Sequence, residues 1–138
     1  ALASRTSPDA IVDLATLTGA CRVALGTLYA AVMGNDQALT EGLVPAGRAA
    51  GEPIWQLPLV SEYRDELKSP IADLKNVSGG GDAGSIVAGL FLQDFTGGVP
   101  WAHLDIAGPA FTEKELPHAP RGATGFGVRL LVRYLMGL

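Results

Sequence analysis

The sequence lacks the features that mark most secreted, membrane-spanning or nucleic-acid-binding proteins. It has a single cysteine, Cys21, so it cannot form an internal disulfide, and a reducing compartment is the default expectation. Its apolar runs are far shorter than the roughly 20 residues that a membrane span requires. The net charge is −4 and the basic residues form no cluster, so we expect no nucleic-acid partner and no membrane partner.

The motifs of common catalytic centres are also absent. The sequence contains no H-E-x-x-H, no paired cysteines, no G-x-S-x-G and no P-loop. It begins without methionine or a signal-peptide arrangement, and residues 1–4 resemble the tail of a helix already under way. We therefore expect the chain to begin inside a domain, as a fragment of a longer polypeptide.

The composition that is present indicates a folded domain. Among the 138 residues, 48% are hydrophobic and 17% are charged, a balance that favours a buried core over disorder. The 18 glycines predict many tight turns, or places where the backbone approaches other backbone or a ligand.

Patterns typical of strands and helices alternate along the chain and predict an α/β fold. Residues 11–18 are β-branched and mostly apolar, which indicates a parallel or central strand buried on both faces. Residues 101–107 alternate as a strand does, and residues 85–95 are apolar on nearly every helical face. The other predicted elements are a strand at residues 29–33, a helix capped by Asp36, a short helix from Ser61, a loop over residues 72–84, and a last helix capped by Thr124 whose Val128, Leu131, Val132 and Leu135 face the core.

Three groups of residues are candidate sites. Residues 16–20 follow the first strand, where ligands bind in open α/β sheets, although a packed strand end is the more common interpretation. Gly79, Gly81 and Gly84 match a dinucleotide-binding pattern, but no hydrophobic strand precedes them. His103 and Asp105 share one strand face and could bind a metal or form an acid–base pair; a buried hydrogen bond is the more common outcome.

Four stretches together resemble the leucyl aminopeptidases, the cytosol aminopeptidases of peptidase family M17. They are DLATLTGA at residues 13–20, EPIWQLPL at 52–59, WAHLDIAG at 101–108 and GATG at 122–125. They occur in the family's order and spacing from about residue 9 to the end. Residues 126 and 127 depart from the pattern, with Phe-Gly where many relatives have Arg-Pro.

The resemblance implies the fold and the chemistry of the parent enzyme. The expected fold is α/β, a mixed central sheet flanked by helices as in zinc exopeptidases, with residues 1–138 forming the C-terminal portion of the catalytic domain. Such enzymes release N-terminal residues, preferentially leucine, by hydrolysis at two divalent ions, zinc or manganese. Their metal ligands and catalytic side chains lie upstream of the ATLTG strand, so no catalytic or metal-binding residue is assigned here and no metal is expected in the fragment alone.

What the resemblance does assign is the wall of the substrate cleft. Leu17 corresponds to a residue whose backbone contacts the bound peptide, and Gly19 to one whose N–H serves the residue after the scissile bond. Thr16, Gly19, Ala107 and Ala110 correspond to the lining of the pocket for the first side chain. The implied partners are the peptide substrate, the upstream part of the same polypeptide and further copies in a cytoplasmic homo-hexamer.

Two other functions are alternatives. The chain could be a non-catalytic module that contributes only structure and oligomer contacts, or, more remotely, a nucleotide-binding domain built on residues 79–84. An N-T-D-A-E-G-R motif shortly before residue 1 would distinguish the aminopeptidase from both.

Overall fold

The computed structural model describes residues 1–77, 79 and 81–137. A mixed four-stranded sheet lies at its centre. Its strands are β1 (Ile11–Ala15), β2 (Ala30–Gly34), β3 (Ile54–Gln56) and β4 (Trp101–Asp105). Across the sheet they stand in the order β1–β4–β2–β3. β1 runs parallel to β4, β4 antiparallel to β2, and β2 parallel to β3. The predicted α/β class with a mixed sheet is therefore confirmed.

Helices cover both faces of this sheet. They are α1 (Gly19–Leu25), α2 (Gln37–Ala49), α3 (Gly84–Gln93) and α4 (Val128–Met136). One face of the sheet packs against α2 and α4 around Val32, Leu43, Leu104 and Leu130. The other face meets α1 and α3, and α3 also packs on the 3₁₀ helix Ser61–Leu67. A small hairpin of β5 (Phe111–Thr112) and β6 (Gly122–Ala123) follows β4.

The beginning of α2 is as predicted, because the Asp36 carboxylate accepts a hydrogen bond from the Leu39 N–H at 2.8 Å. The short helix from Ser61 also forms, although as a 3₁₀ helix that already ends at Leu67. The predicted buried helix starts at Gly84 and ends at Gln93, so that Phe95 lies beyond it and is exposed.

Strand β1 differs from its prediction in length and position. It ends at Ala15 and not at Thr18, and it lies at an edge of the described sheet with every residue only half-buried. It does run parallel to its neighbour, as predicted. The interior strands of the described sheet are β4, with all five residues buried, and β2, with its first four buried. At the N-terminus, the predicted helical tail is a single 3₁₀ turn, Ala3–Thr6.

The last helix begins later than predicted and buries a different side. Thr124 does not cap it: its hydroxyl donates to the Pro109 carbonyl at 2.7 Å, and α4 begins four residues later. Leu130 is fully buried, and Leu131 packs partly against the core as predicted. The other predicted core positions are exposed, Val128 by 62%, Val132 by 50% and Leu135 by 79%.

Glu52, a residue to which the sequence pattern assigned no role, binds the first turn of α4. Its carboxylate is 1% exposed and accepts hydrogen bonds from the Leu130 N–H at 2.8 Å and the Arg129 Nε at 3.1 Å. A carboxylate at the first turn of a helix satisfies free N–H groups and favours the helix dipole. Glu52 thereby anchors the first turn of α4 with Leu130 buried against the sheet.

Candidate substrate-binding cleft

The carboxyl ends of β1 and β4 meet at one edge of the sheet. The two strands are parallel and Ala15 lies opposite Asp105. The ladder closes with a hydrogen bond from the Ile106 N–H to the Ala15 carbonyl at 2.9 Å. Residues 16–18 and 106–110, which carry the predicted cleft residues, therefore leave the sheet side by side.

The carboxylate of Asp105 holds these two segments together. Its Oδ1 accepts hydrogen bonds from the N–H groups of Leu17 at 3.1 Å, Thr18 at 3.4 Å and Ala107 at 3.2 Å. Its Oδ2 accepts from the Thr18 hydroxyl at 2.6 Å. The Asp105 side chain is fully buried, and a buried carboxylate is tolerated only when such donors surround it.

Thr18 extends this arrangement to two helices. Its hydroxyl accepts from the Cys21 N–H at 3.0 Å and so caps α1, and it lies 2.8 Å from the Ser85 hydroxyl in the first turn of α3. The buried Cys21 thiol donates to the Asp105 carbonyl at 3.4 Å. Burial raises the pKa of Cys21, and the nearby Asp105 charge raises it further.

The five predicted cleft residues lie in three places. Thr16 and Leu17 are exposed between β1 and α1, and Gly19 is the first residue of α1, where an added Cβ would meet nothing within 4 Å. Ala107 is bound to the same Asp105 oxygen as Leu17, so the structure brings those two together. Ala110 is farther along, on a turn in which its N–H donates to the Ile106 carbonyl at 3.0 Å. That these residues bind a substrate stays a prediction.

A cavity of about 240 Å³ opens beside Leu17 and Thr18. Its other walls come from α3 and from the segment that follows the 3₁₀ helix: Leu67, Asn76, Val77, Gly84, Val87, Ala88 and Phe91. A larger groove of about 370 Å³ lies along β3 and α2, at the opposite edge of the sheet from β1. Of the five predicted cleft residues, Leu17 lines the smaller cavity and none lines the larger groove.

His103 and Asp105 do not bond to each other, contrary to the interpretation of them as a pair. His103 Nδ1 lies 2.6 Å from Asp13 Oδ1, and the other Asp13 oxygen accepts from the Trp101 indole at 2.6 Å. His103 Nε2 is buried without a partner among the described residues. Across residues 1–77, 79 and 81–137, no three His, Cys, Asp or Glu side chains converge as metal ligands would.

The glycine pattern at residues 79–84 lacks the context of a nucleotide site. Residues 68–77 form no strand, and α3 begins at Gly84 directly after Ala83, whose φ is +50°. Gly80 lies outside the described residues, so the loop is known only in part.

Sequence reasoning missed Asp105 as the organiser of the cleft, together with the roles of Thr18 and Asp13. The sequence pattern places Asp105 beside its strand neighbour His103, or about twenty residues after the glycine pattern, and not with residues 16–18. A usable signal existed, since an acidic residue ending a buried strand needs hydrogen-bond donors, and the T-L-T segment after a neighbouring parallel strand supplies them.

Comparison with known proteins agrees with the resemblance of the motifs. Residues 1–132 match the model of the cytosol aminopeptidase family, catalytic domain. The chain belongs to the cytosol aminopeptidase family. Similar members include the probable cytosol aminopeptidase of Geobacter sulfurreducens, 59% identical over 133 residues, which are 96% of this chain and 27% of that protein. Another, from Rhodopirellula baltica, is 52% identical over 134 residues, 97% of this chain and 26% of that protein.

The chain therefore spans about a quarter of the length of these cytosol aminopeptidases. Within the part of the chain that the structure describes, no helix is both long and apolar enough to cross a membrane.

Proposed function

We propose that this chain forms the substrate-cleft walls of a leucyl aminopeptidase, which releases N-terminal residues, preferentially leucine, from peptides. The observation that carries the proposal is the match to the family's catalytic domain over residues 1–132. The geometry supports it, because the predicted contact residues Leu17 and Ala107 converge on one buried carboxylate at a sheet edge where α/β proteins bind ligands.

The chain's own residues bind and orient the peptide. Thr16 and Leu17 are exposed and lie beyond the last paired residue of β1, where an extended substrate would contact their backbone. Gly19 is exposed and an added Cβ would meet nothing within 4 Å, so a ligand can approach it on that side. Ala107 and Ala110 carry small, partly buried side chains, which with Thr16 would contact the leucine side chain.

The divalent ions of the proposed reaction, zinc or manganese, would be held outside this chain. The described residues do not fit a two-metal centre, because both Asp105 oxygens already accept hydrogen bonds and His103 is bound to Asp13. We propose that the upstream part of the same polypeptide supplies the ligands. When bound, such ions activate water and polarise the scissile carbonyl. A cytoplasmic location and a homo-hexameric assembly belong to the same proposal.

The assignment of the leucine pocket is tested with Ala107→Leu in the full-length polypeptide. Three extra carbons would occupy the space meant for the substrate side chain. Apolar pockets discriminate by about 1–3 kcal/mol for each methylene-sized change, so kcat/KM for leucyl-p-nitroanilide should fall on the order of 10-fold or more. Alanyl-p-nitroanilide, whose side chain does not reach as far, should lose much less.

The same change at an exposed position of α2, Ala38→Leu, is the control and should alter neither rate. Both variants are assayed at saturating Mn²⁺, and the ratio of the two kcat/KM values is compared with the wild type. An equal fall for both substrates, or none, would show that Ala107 does not line the pocket. Absence of hydrolysis by the wild type would favour the non-catalytic module instead.

A further inference from the structure

The hydrogen bonds of Asp105 determine where two carbonyl oxygens of the cleft point. Both the Leu17 and the Thr18 N–H groups are directed at Asp105 Oδ1. Each peptide bond here is trans, so the carbonyl of the preceding residue points the opposite way. The carbonyl oxygens of Thr16 and Leu17 therefore face away from Asp105, and both residues are exposed.

The Asp105 carboxylate takes the place of a strand partner for the N–H groups of Leu17 and Thr18. The ladder between β1 and β4 ends at the hydrogen bond between Ala15 and Ile106. Beyond it, one fully buried carboxylate satisfies the inward-facing N–H groups that a further strand residue would otherwise serve. The outward carbonyls are left as acceptors for donors of an extended ligand, such as the N–H groups or the free amine of a peptide.

The same oxygen also binds the second segment of the cleft, residues 106–110. Ala107 donates its N–H to Asp105 Oδ1 at 3.2 Å, only slightly longer than the 3.1 Å of the Leu17 bond. The backbone that would contact the peptide and the side chain that would contact leucine are therefore positioned from one atom. Hydrogen bonds to charged groups are the stronger kind, which suits a fixed spacing between two walls.

We propose that Asp105 is a positioning residue of the peptide-binding cleft: it turns the Thr16 and Leu17 carbonyls toward the substrate and sets their distance from Ala107. It acts through the backbone and touches no substrate atom. This inference rests on the proposed aminopeptidase function, since it assigns a role within that cleft.

The test compares Asp105→Asn and Asp105→Ala with the matched control Asp13→Asn in the full-length polypeptide. Asp13 also accepts two side-chain hydrogen bonds, from Trp101 and His103, and it makes none to the cleft segments. Steady-state kinetics with Leu-Gly-Gly give KM and kcat separately. Hydrogen–deuterium exchange without substrate reports on the N–H groups of residues 16–18, and thermal unfolding reports on stability.

Loss of the carboxylate in Asp105→Ala should raise KM on the order of 10-fold, the factor expected for hydrogen bonds to a charged group, with a smaller effect on kcat. Asp105→Asn keeps one acceptor oxygen, so it should restore most of this loss while exchange at residues 16–18 stays faster than in the wild type. Asp13→Asn should lower the unfolding temperature but leave KM and exchange at residues 16–18 unchanged. If Asp105→Ala does not fold, hydrogen–deuterium exchange at residues 16–18 decides, because it should be faster in Asp105→Asn and unchanged in Asp13→Asn.

A KM that is unchanged in Asp105→Ala, or raised equally by Asp13→Asn, would overturn the positioning role. So would unaltered exchange at residues 16–18. If the wild type hydrolyses no peptide, the proposed function fails, and the exchange measurement still decides separately whether Asp105 holds the two peptide units.

Discussion

Besides the Cys21 thiol, three ionisable side chains of the described residues are buried almost completely, and each is bonded to a segment far away in sequence. Glu52 binds the first turn of α4, His103 binds Asp13 on β1, and Asp105 binds the residues that follow β1. Leaving any of them without its partners would cost more than the bonds themselves contribute, because a buried polar group would stay unsatisfied. These residues consequently connect elements that are distant in sequence.

The buried thiol of Cys21 should make stability sensitive to alkaline pH. Its folded pKa is raised above the ordinary value of 9.0 by burial and by the Asp105 charge, so the folded state disfavours the thiolate. The stability that the neutral buried thiol contributes is fully present below the pKa of Cys21 in the unfolded chain. It is lost as the pH rises through the pKa of Cys21 in the folded chain. We expect the free energy of unfolding, measured by urea with a reductant, to fall more between pH 7 and pH 10 in the wild type than in Cys21→Ser. Equal falls would contradict the expectation, since serine does not ionise there and all other groups are shared.

The distant hydrogen-bond partners of these buried side chains are difficult to predict from sequence. Glu52 and Leu130 are 78 residues apart, and Asp105 and Thr18 are 87 apart, so no local periodicity connects them. The sequence predicts cap residues such as Asp36, whose partner is three residues away, and there the structure agrees. Thr124 shows the limit of that reasoning, because its hydroxyl binds Pro109, on a turn that only the fold brings near.

At the scale of elements, two glycines govern how closely α2 approaches its neighbours. A Cβ on Gly47 would lie 2.6 Å from the Glu52 carbonyl oxygen, whereas one on Gly42 would meet the Tyr134 ring at 2.8 Å. Both substitutions gain the same helix propensity, about 1 kcal/mol for alanine over glycine. The backbone at Glu52 cannot move away as the end of a side chain can.

Gly47→Ala should therefore be less stable than Gly42→Ala by about 1–3 kcal/mol, the usual cost of overpacking. Urea unfolding of the two variants, read by circular dichroism, gives this difference directly. Equal stabilities would show that α2 can shift away from residue 52, and the close approach would then not be required.

The sequence predicts whether an element is a helix or a strand better than it predicts which side of that element is buried. The apolar pattern of α4 is compatible with more than one buried side, and the structure buries the side that carries Leu130, whose N–H binds Glu52. Strand β1 has the composition of a central strand and yet lies at the edge of the described sheet, half-buried. The spacing of apolar residues shows which side of an element can be buried. Which neighbouring element buries it depends on tertiary contacts, and the spacing carries no information about those.

At the scale of the whole molecule, the alternation of elements predicted the α/β class and four motifs indicated the family, which the comparison confirms. The convergence of β1 and β4 follows from their parallel pairing, but their register, Ala15 opposite Asp105, could not be derived from two separate strand patterns. That register makes Asp105 the link between residues 17 and 107, so the organiser of the candidate cleft emerges only with the fold.

The chain by itself should neither bind catalytic metal ions nor hydrolyse leucyl-p-nitroanilide. Its best candidate ligands are occupied: His103 is fully buried with Nδ1 bonded to Asp13, and the two Asp105 oxygens accept hydrogen bonds from residues 17, 18 and 107. Calorimetric titration of the chain with Zn²⁺ or Mn²⁺ should show no stoichiometric binding, and the assay should show no turnover. The full-length polypeptide, measured alongside, should bind the ions stoichiometrically and hydrolyse leucyl-p-nitroanilide. Stoichiometric binding by the chain that disappears in His103→Ala would refute the prediction, because it would require His103 to leave Asp13 and coordinate the ion.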